Sequence, residues 1–295
     1  MSQDITLSTA TRSNLLSLQS TQTLIGKTQE RLATGLKVNS ALDDALAFFK
    51  ARNLNSRASD LSAIKDQITG GISVLTAAVQ GLESIEDVLK QMKALAQSAI
   101  SAPESTTRAK LASQFNELRS QVDNLAEDAS FNGVNLLKNT VSPFAAGADQ
   151  LTVKFNERVE PNGVNKLVVS GLKTADFNSI MANSAVTVGT GSAVWGQTGS
   201  AAVKAITQAI TAIDSALITV RQSSQAFGTN AAMLQIRADF TTNLVNTLKA
   251  GASELVNADL NEESANLLSL QTRQQLGTIS LSIAQKSEQS ILRLF

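Results

Sequence analysis

The chain has 295 residues, of which 43% are hydrophobic, and its 25 basic and 25 acidic residues give a formal net charge of zero. It contains no Cys and no His, which excludes disulfides and removes the commonest metal ligands and the usual proton-transfer side chain. Balanced charge and a 4% aromatic content argue against nucleic-acid binding, and no apolar run has the length of a secretory leader or a membrane helix.

The N-terminal segment carries a thin amphipathic stripe at heptad spacing, interrupted by Gln22 and Gln29. Its apolar members are Leu15, Leu18, Ile25, Leu32 and Leu36. So few large aliphatic residues bury too little apolar area to offset the entropy of ordering the backbone. We therefore expect this arm to become ordered only when it packs against the C-terminal arm and against other copies. Pairing of the two ends within one chain is the alternative.

Three long heptad patterns follow, and no proline falls inside them. The first runs from Leu61 to Ala99, the second from Leu111 to Ala129 after Pro103, and the third from Ile206 to Leu255. The short linker between the first two predicts antiparallel neighbours. We predict a mainly α fold, a long antiparallel helical bundle or coiled-coil rod, with an ordinary coiled-coil spacer as the alternative.

Between the second and third patterns the composition changes. The alternating segments LTVKF from Leu151 to Phe155 and KLVVS from Lys166 to Ser170 predict the strands of a small β-hairpin. A stretch rich in Gly, Ser and Thr follows and contains the only tryptophan, Trp195. We predict an exposed insertion here, with Trp195 as a local packing anchor.

The C-terminal segment places Leu276, Ile279 and Ile283 on one helical face. The chain then ends on Ile291, Leu292, Leu294 and Phe295, although free chain ends are usually polar. This apolar arm is expected to pair with the N-terminal arm in an inner coiled coil on assembly.

Three motifs resemble the bacterial flagellins. The segment RLATGLKVNSALDD, from Arg31 to Asp44, is similar to their N-terminal signature, SFNGVNLL to a turn after their second core helix, and LQTRQQLGTISL to their C-terminal arm. The residues that carry the first two likenesses are Arg31, Gly35, Asn39, Ser40, Asp43, Asp44, Phe131, Asn132 and Gly133.

This resemblance implies a non-enzymatic subunit of an extracellular flagellar filament, without cofactor or metal. It also implies export through the flagellar type III apparatus without a cleaved signal peptide. The implied partners are further copies, other flagellins, an export chaperone, a filament cap protein and the hook–filament junction protein. The implied domains are an N-terminal arm (1–45), a rod (46–140 and 201–255), an outer insertion (141–200) and a C-terminal arm (256–295).

Two positions depart from the flagellins that a vertebrate Toll-like receptor senses. Gln91 stands where those flagellins carry Arg, and Ala94 where they carry Glu, so we expect weak receptor activation.

Other protein classes fit the sequence less well. The hook–filament junction protein shares both arms, but its signature usually has Pro after the paired aspartates, where this chain has Ala45. A metallopeptidase insertion needs two His ligands, which the chain lacks. Asp43 and Asp44 are adjacent, and neighbouring positions on a helix point about 100° apart, so capping suits them better than acid–base catalysis. A secreted monomeric adhesin would have ordered ends and form no fibres.

Overall fold

A computed structural model describes residues 9–138, 150–157, 165–172, 195–196 and 200–292. In chain order its elements are α1 (Thr9–Thr34), α2 (Ala45–Ser101), α3 (Ser105–Asp128), β1 (Ser130–Phe131), β2 (Val134–Asn135), β3 (Gln150–Lys154), β4 (Lys166–Ser170), α4 (Ser200–Val256) and α5 (Leu260–Leu292). The predicted mainly helical fold with a small β-hairpin is confirmed, and β1 and β2 form a second two-stranded sheet.

The chain forms two compact units. The terminal unit comprises Met1–Ala58 and Asn246–Phe295, and the central unit comprises Ser59–Val245. Helices α2 and α4 each contribute residues to both units.

In the central unit α2 and α4 pack antiparallel, because successive residues along α2 contact residues of decreasing number along α4. Gly71 lies next to Leu234, and the Arg221 Nη2 atom lies 2.9 Å from the Glu86 carboxylate. The first heptad pattern, from Leu61 to Ala99, is buried throughout. The prediction of long helices packed through heptad seams is therefore confirmed.

Helix α3 follows a break at residues 102–104 and buries Phe115 and Val122. The Arg108 guanidinium donates hydrogen bonds to the carbonyl of Ala102 at 2.8 Å and to that of Trp195 at 3.0 Å. Trp195 is fully buried, with its ring 5.1 Å from that of Phe115. The prediction of a packing anchor at Trp195 is confirmed.

Two hairpins belong to the central unit. The first joins β1 to β2 through Asn132 and Gly133, whose φ angles of 51° and 80° suit the Asn-Gly turn of a two-residue hairpin. The second pairs β3 with β4 antiparallel, with Leu151 opposite Val169, at the two segments where strands are predicted. It packs on α2, because a Cβ added at Gly71 would lie 2.7 Å from a Val153 methyl group. Most of the remaining predicted insertion lies outside the described residues.

Helices α2 and α4 are each long and apolar enough, by length and composition, to cross a membrane. The sequence-based expectation that no segment is long and apolar enough for a membrane helix is therefore wrong. The central residues of both helices bury their apolar positions against protein, however, and the core helices of a helical bundle have this same composition.

Candidate functional site

The two ends of the chain pair as antiparallel helices in the terminal unit. Leu18 of α1 contacts Gly277 of α5, and Arg31, further along α1, meets Glu263, which lies earlier in α5. We call α1 and α5 together the terminal helix pair. The structure pairs the two ends within one chain, and the ordering of the arms on assembly with other copies stays a prediction.

The contact seam of α1 contains four polar and three apolar residues. Its buried and half-buried positions recur at spacings of three and four residues and are Thr11, Asn14, Leu18, Thr21, Ile25, Thr28 and Leu32. Leu15 lies off this seam and is 40% exposed, so its predicted role in assembly is not one of pairing α1 with α5. Thr21 satisfies its hydroxyl by donating to the Ser17 carbonyl at 2.9 Å. Such a seam buries less apolar area than the seams of the central unit.

A close approach marks the distal half of the terminal helix pair. A Cβ added at Gly277 would lie 2.6 Å from a Leu18 methyl carbon, so a larger residue here would displace the Leu18 side chain. One turn away, the Gln274 amide donates to the Gln22 side-chain oxygen at 2.6 Å. Gln22, which interrupts the stripe in the sequence, thus bonds across the pair.

The loop after α1 binds the turn between α4 and α5. Gly35 ends α1 with a φ of 71°, and its carbonyl accepts the Ala258 N–H at 2.9 Å. Leu36 forms a β-bridge with Asn257, and the Lys37 N–H donates to the Val256 carbonyl at 2.7 Å. We call residues 35–44 and 256–259 together the clasp. The clasp joins the N-terminal signature to the start of the C-terminal arm.

The adjacent aspartates of the signature hold the clasp in shape. Asp43 accepts hydrogen bonds from the Ser40 N–H and hydroxyl, both at 3.1 Å, and from the Asn39 N–H at 3.3 Å. The Ser40 backbone bond, then the Ser40 hydroxyl, the Asn39 N–H and the charge of Lys27 hold the pKa of Asp43 below its ordinary value. Asp44 caps α2 by accepting the Ala47 N–H at 2.9 Å. Both carboxylates therefore have structural partners.

A half-buried ion pair links the signature to α5. The Arg31 guanidinium donates to the Glu263 carboxylate at 2.9 Å, and Glu263 is only 8% exposed. Asp259 caps α5 by accepting the Asn261 N–H at 2.9 Å. Sequence reasoning missed Glu263 and Asp259. The capping pattern of Asp259 with Glu262 three residues later was the available signal.

Helix α5 also carries an apolar face that no described residue covers. Leu268, Leu276, Ile279 and Ile283 recur at helical spacing and are 67%, 62%, 57% and 63% exposed. We call these four residues the α5 stripe. It includes three residues that the sequence places on one face, while the side chain of Ile291 and all of Leu294 and Phe295 lie outside the described residues.

The remaining singled-out residues lie in the central unit. Phe131 is exposed in the first hairpin beside Asn132 and Gly133, and Gln91 and Ala94 are exposed on α2. Among the described residues no group of three Asp, Glu, His or Cys side chains could hold a metal ion.

Comparisons with known proteins agree at both ends of the chain. Residues 5–142 match the bacterial flagellin N-terminal helical region, and residues 210–295 match the bacterial flagellin C-terminal helical region. The chain is 35% identical to flagellin FljM of Caulobacter vibrioides, over 95% of this chain and 94% of that protein. It is 29% identical to flagellin C of Rhizobium meliloti, over 91% of each chain.

Proposed function

The chain belongs to the bacterial flagellin family and is a non-enzymatic subunit of the flagellar filament outside the cell, and from that premise we propose that its terminal helix pair joins each subunit to its neighbours. In this proposal the α5 stripe is the principal contact surface. The match to flagellins favours the filament subunit over the hook–filament junction protein.

The exposure of the α5 stripe carries the proposal. Four large aliphatic side chains, each more than half exposed, lie on one face of α5, and such exposed apolar faces mark protein contacts in water-soluble proteins. The side of α5 that faces α1 is already occupied, at Gly277 and Gln274. A filament supplies identical copies at every subunit, so the row is covered by neighbouring terminal helix pairs.

The same proposal assigns each predicted domain of the chain a place in the filament. Residues 1–45 and 256–295 form the inner filament core, with Ile291, Leu294 and Phe295 extending the apolar contact of α5. Residues 46–140 and 201–255 form the surrounding rod, and residues 141–200 form the outer insertion. The rod role is supported by the continuous buried seam of α2.

Deletion of residues 1–36 tests the proposal. We expect the truncated chain to lose filament formation, seen by electron microscopy, because α5 loses the helix that supports it. Most helicity should remain by circular dichroism, because α2, α3 and α4 keep their central-unit partners. Normal filaments from the truncated chain would contradict the proposal.

We further propose that the chain is exported through the flagellar type III apparatus, with a chaperone on the C-terminal arm. A cap protein at the tip and the hook–filament junction protein at the base complete its partners, and other flagellins co-assemble with it. The apolar α5 stripe supports the chaperone proposal, because an exposed apolar helix face needs cover before assembly. A chaperone that binds the chain without residues 260–295 as tightly as the full chain would contradict it.

The exposed departures at Gln91 and Ala94 support a proposal of weak Toll-like receptor activation. Gln91→Arg with Ala94→Glu should raise the response in a cell reporter assay. Full potency of the unaltered chain at ordinary flagellin doses would reject this proposal.

A further inference from the structure

The tip of the first hairpin presents an Asn-Gly pair to solvent. Asn132 and Gly133 form the loop between β1 and β2, and both residues are exposed. Their φ angles of 51° and 80° lie in the left-handed region, which Asn and Gly adopt more readily than other residues. Turn geometry therefore explains why these two residue types stand here, and it leaves the reactive groups of the pair open to water.

Both groups that could react with each other lack a hydrogen-bond partner. Within the part of the chain that the structure describes, no group bonds to the side-chain amide of Asn132 or to the backbone N–H of Gly133. The amide of Asn132 is an electrophile, and the nitrogen of the next residue is a nucleophile one short bond rotation away. Gly133 has no side chain to hinder the approach of these two groups.

A second asparagine in the same motif provides a contrast. The side-chain nitrogen of Asn135 donates to the carbonyls of Ala126 at 2.9 Å and Glu127 at 3.0 Å. Its side-chain oxygen accepts the N–H groups of Leu137 at 2.8 Å and Lys138 at 3.0 Å. Every donor and acceptor position of this amide is thus occupied, and the residue that follows it is a buried leucine. Reaction at Asn135 would require these hydrogen bonds to break first.

We propose that Asn132 is a site of spontaneous deamidation in the folded chain. The backbone nitrogen of Gly133 gives up its proton to hydroxide and attacks Cγ of Asn132. The new N–Cγ bond closes a succinimide ring, the Cγ–Nδ2 bond breaks, and the nitrogen leaves as ammonia after taking a proton from water. A water molecule then opens the ring at either carbonyl, which gives aspartate or isoaspartate.

The products change the charge of the hairpin, and one of them also changes its backbone. Both products add a negative charge at the exposed tip. Isoaspartate also inserts a carbon atom into the backbone of the loop, and loop length sets the turn type and the register of Phe131 opposite Val134. Because Asn135 directly follows Val134, a shift there disturbs the hydrogen bonds that Asn135 makes to the end of α3.

Peptide mapping of the full-length chain tests the proposal. The folded chain is incubated at mildly alkaline pH, cleaved with trypsin and analysed by mass spectrometry with fragmentation. One tryptic peptide, 120–138, carries both Asn132 and Asn135, so each serves as a control for the other. The other Asn-Gly pair of the chain, at 162–163, falls on a separate tryptic peptide, 159–166.

We expect Asn132 to convert progressively while Asn135 keeps its amide. The synthetic peptide 128–138, in which neither asparagine is held by the fold, should convert faster at Asn132, because the paired strands restrain the loop. Asn132→Gly, which keeps a residue suited to positive φ, should abolish the product. A folded chain that retains the Asn132 amide after the synthetic peptide has converted would overturn the proposal, and so would equal conversion of Asn135.

A second measurement separates the effect of the charge from that of the backbone. Asn132→Asp adds the same charge as deamidation but leaves the backbone length unchanged. Amide hydrogen exchange at the end of α3 should therefore be faster in the isoaspartate form, separated by ion-exchange chromatography from the incubated chain, than in Asn132→Asp. Equal exchange in the two forms would contradict the predicted effect of isoaspartate on α3. Both measurements use the free chain, so their outcome is independent of the role of the α5 stripe.

Discussion

The α5 stripe makes Ile279→Ala the most direct single-residue test of assembly through the terminal helix pair. The change removes three side-chain carbons, which contribute about 0.8 kcal/mol each when fully buried. Since 57% of Ile279 is exposed in the free chain, assembly buries about that share, and the loss is about 1.4 kcal/mol per contact. That free energy corresponds to an increase of about tenfold in the critical concentration.

The assay is elongation from preformed filament seeds, followed by sedimentation to measure the concentration of unassembled chain. Ala favours the helix at least as well as Ile, so α5 itself is not weakened. Ser280→Ala, one residue along the same helix, is the matched control and should assemble as the unaltered chain does. An Ile279→Ala chain with an unchanged critical concentration would refute the role of the α5 stripe.

Three further predictions concern the clasp. Arg31→Ala leaves the buried Glu263 carboxylate unpaired and should lower the unfolding free energy of the terminal unit by about 2 kcal/mol in urea unfolding. Glu263→Gln should lower that free energy by less, because it removes the buried charge as well. The pKa of Asp43 is lowered from an ordinary value of 3.8, so the stabilisation that Asp43 gives the clasp is present above pH 3.8 and is lost as the pH falls through the lowered pKa. Amide hydrogen exchange of the clasp should therefore accelerate only below pH 3.8. Acceleration already at pH 5 would contradict this. Gly35→Ala, at a φ of 71°, should destabilise the clasp by about 1 kcal/mol in the same unfolding assay, whereas Gly26→Ala, which has open space around it, should not.

The long helices could be predicted from the sequence because their seams are apolar and strictly periodic. Helix α2 nevertheless begins at Ala45, well before the predicted seam starts at Leu61, since its first turns expose Leu46 and Phe49. The seam continues there through the small residues Ala51 and Ala58, while the large apolar residues lie off it, so a search for large apolar residues misses these turns.

The candidate site was only partly predictable. The seam of the terminal helix pair uses Thr, Asn and Gly where a heptad search looks for large apolar residues, so its true register was not visible. Arg31 and Glu263 are 232 residues apart, and only the antiparallel pairing of the two ends brings them together. The signature residues were singled out by resemblance, and the structure supplies their physical role in the clasp.

In the filament, neighbouring subunits are proposed to cover the α5 stripe. Alkylation of an Ile279→Cys chain measures this directly, because no other cysteine competes for the reagent. We expect rapid labelling of the free chain, protection in the filament, and rapid labelling again after the filament is dissociated. Equal labelling rates in the free chain and in the filament would contradict it.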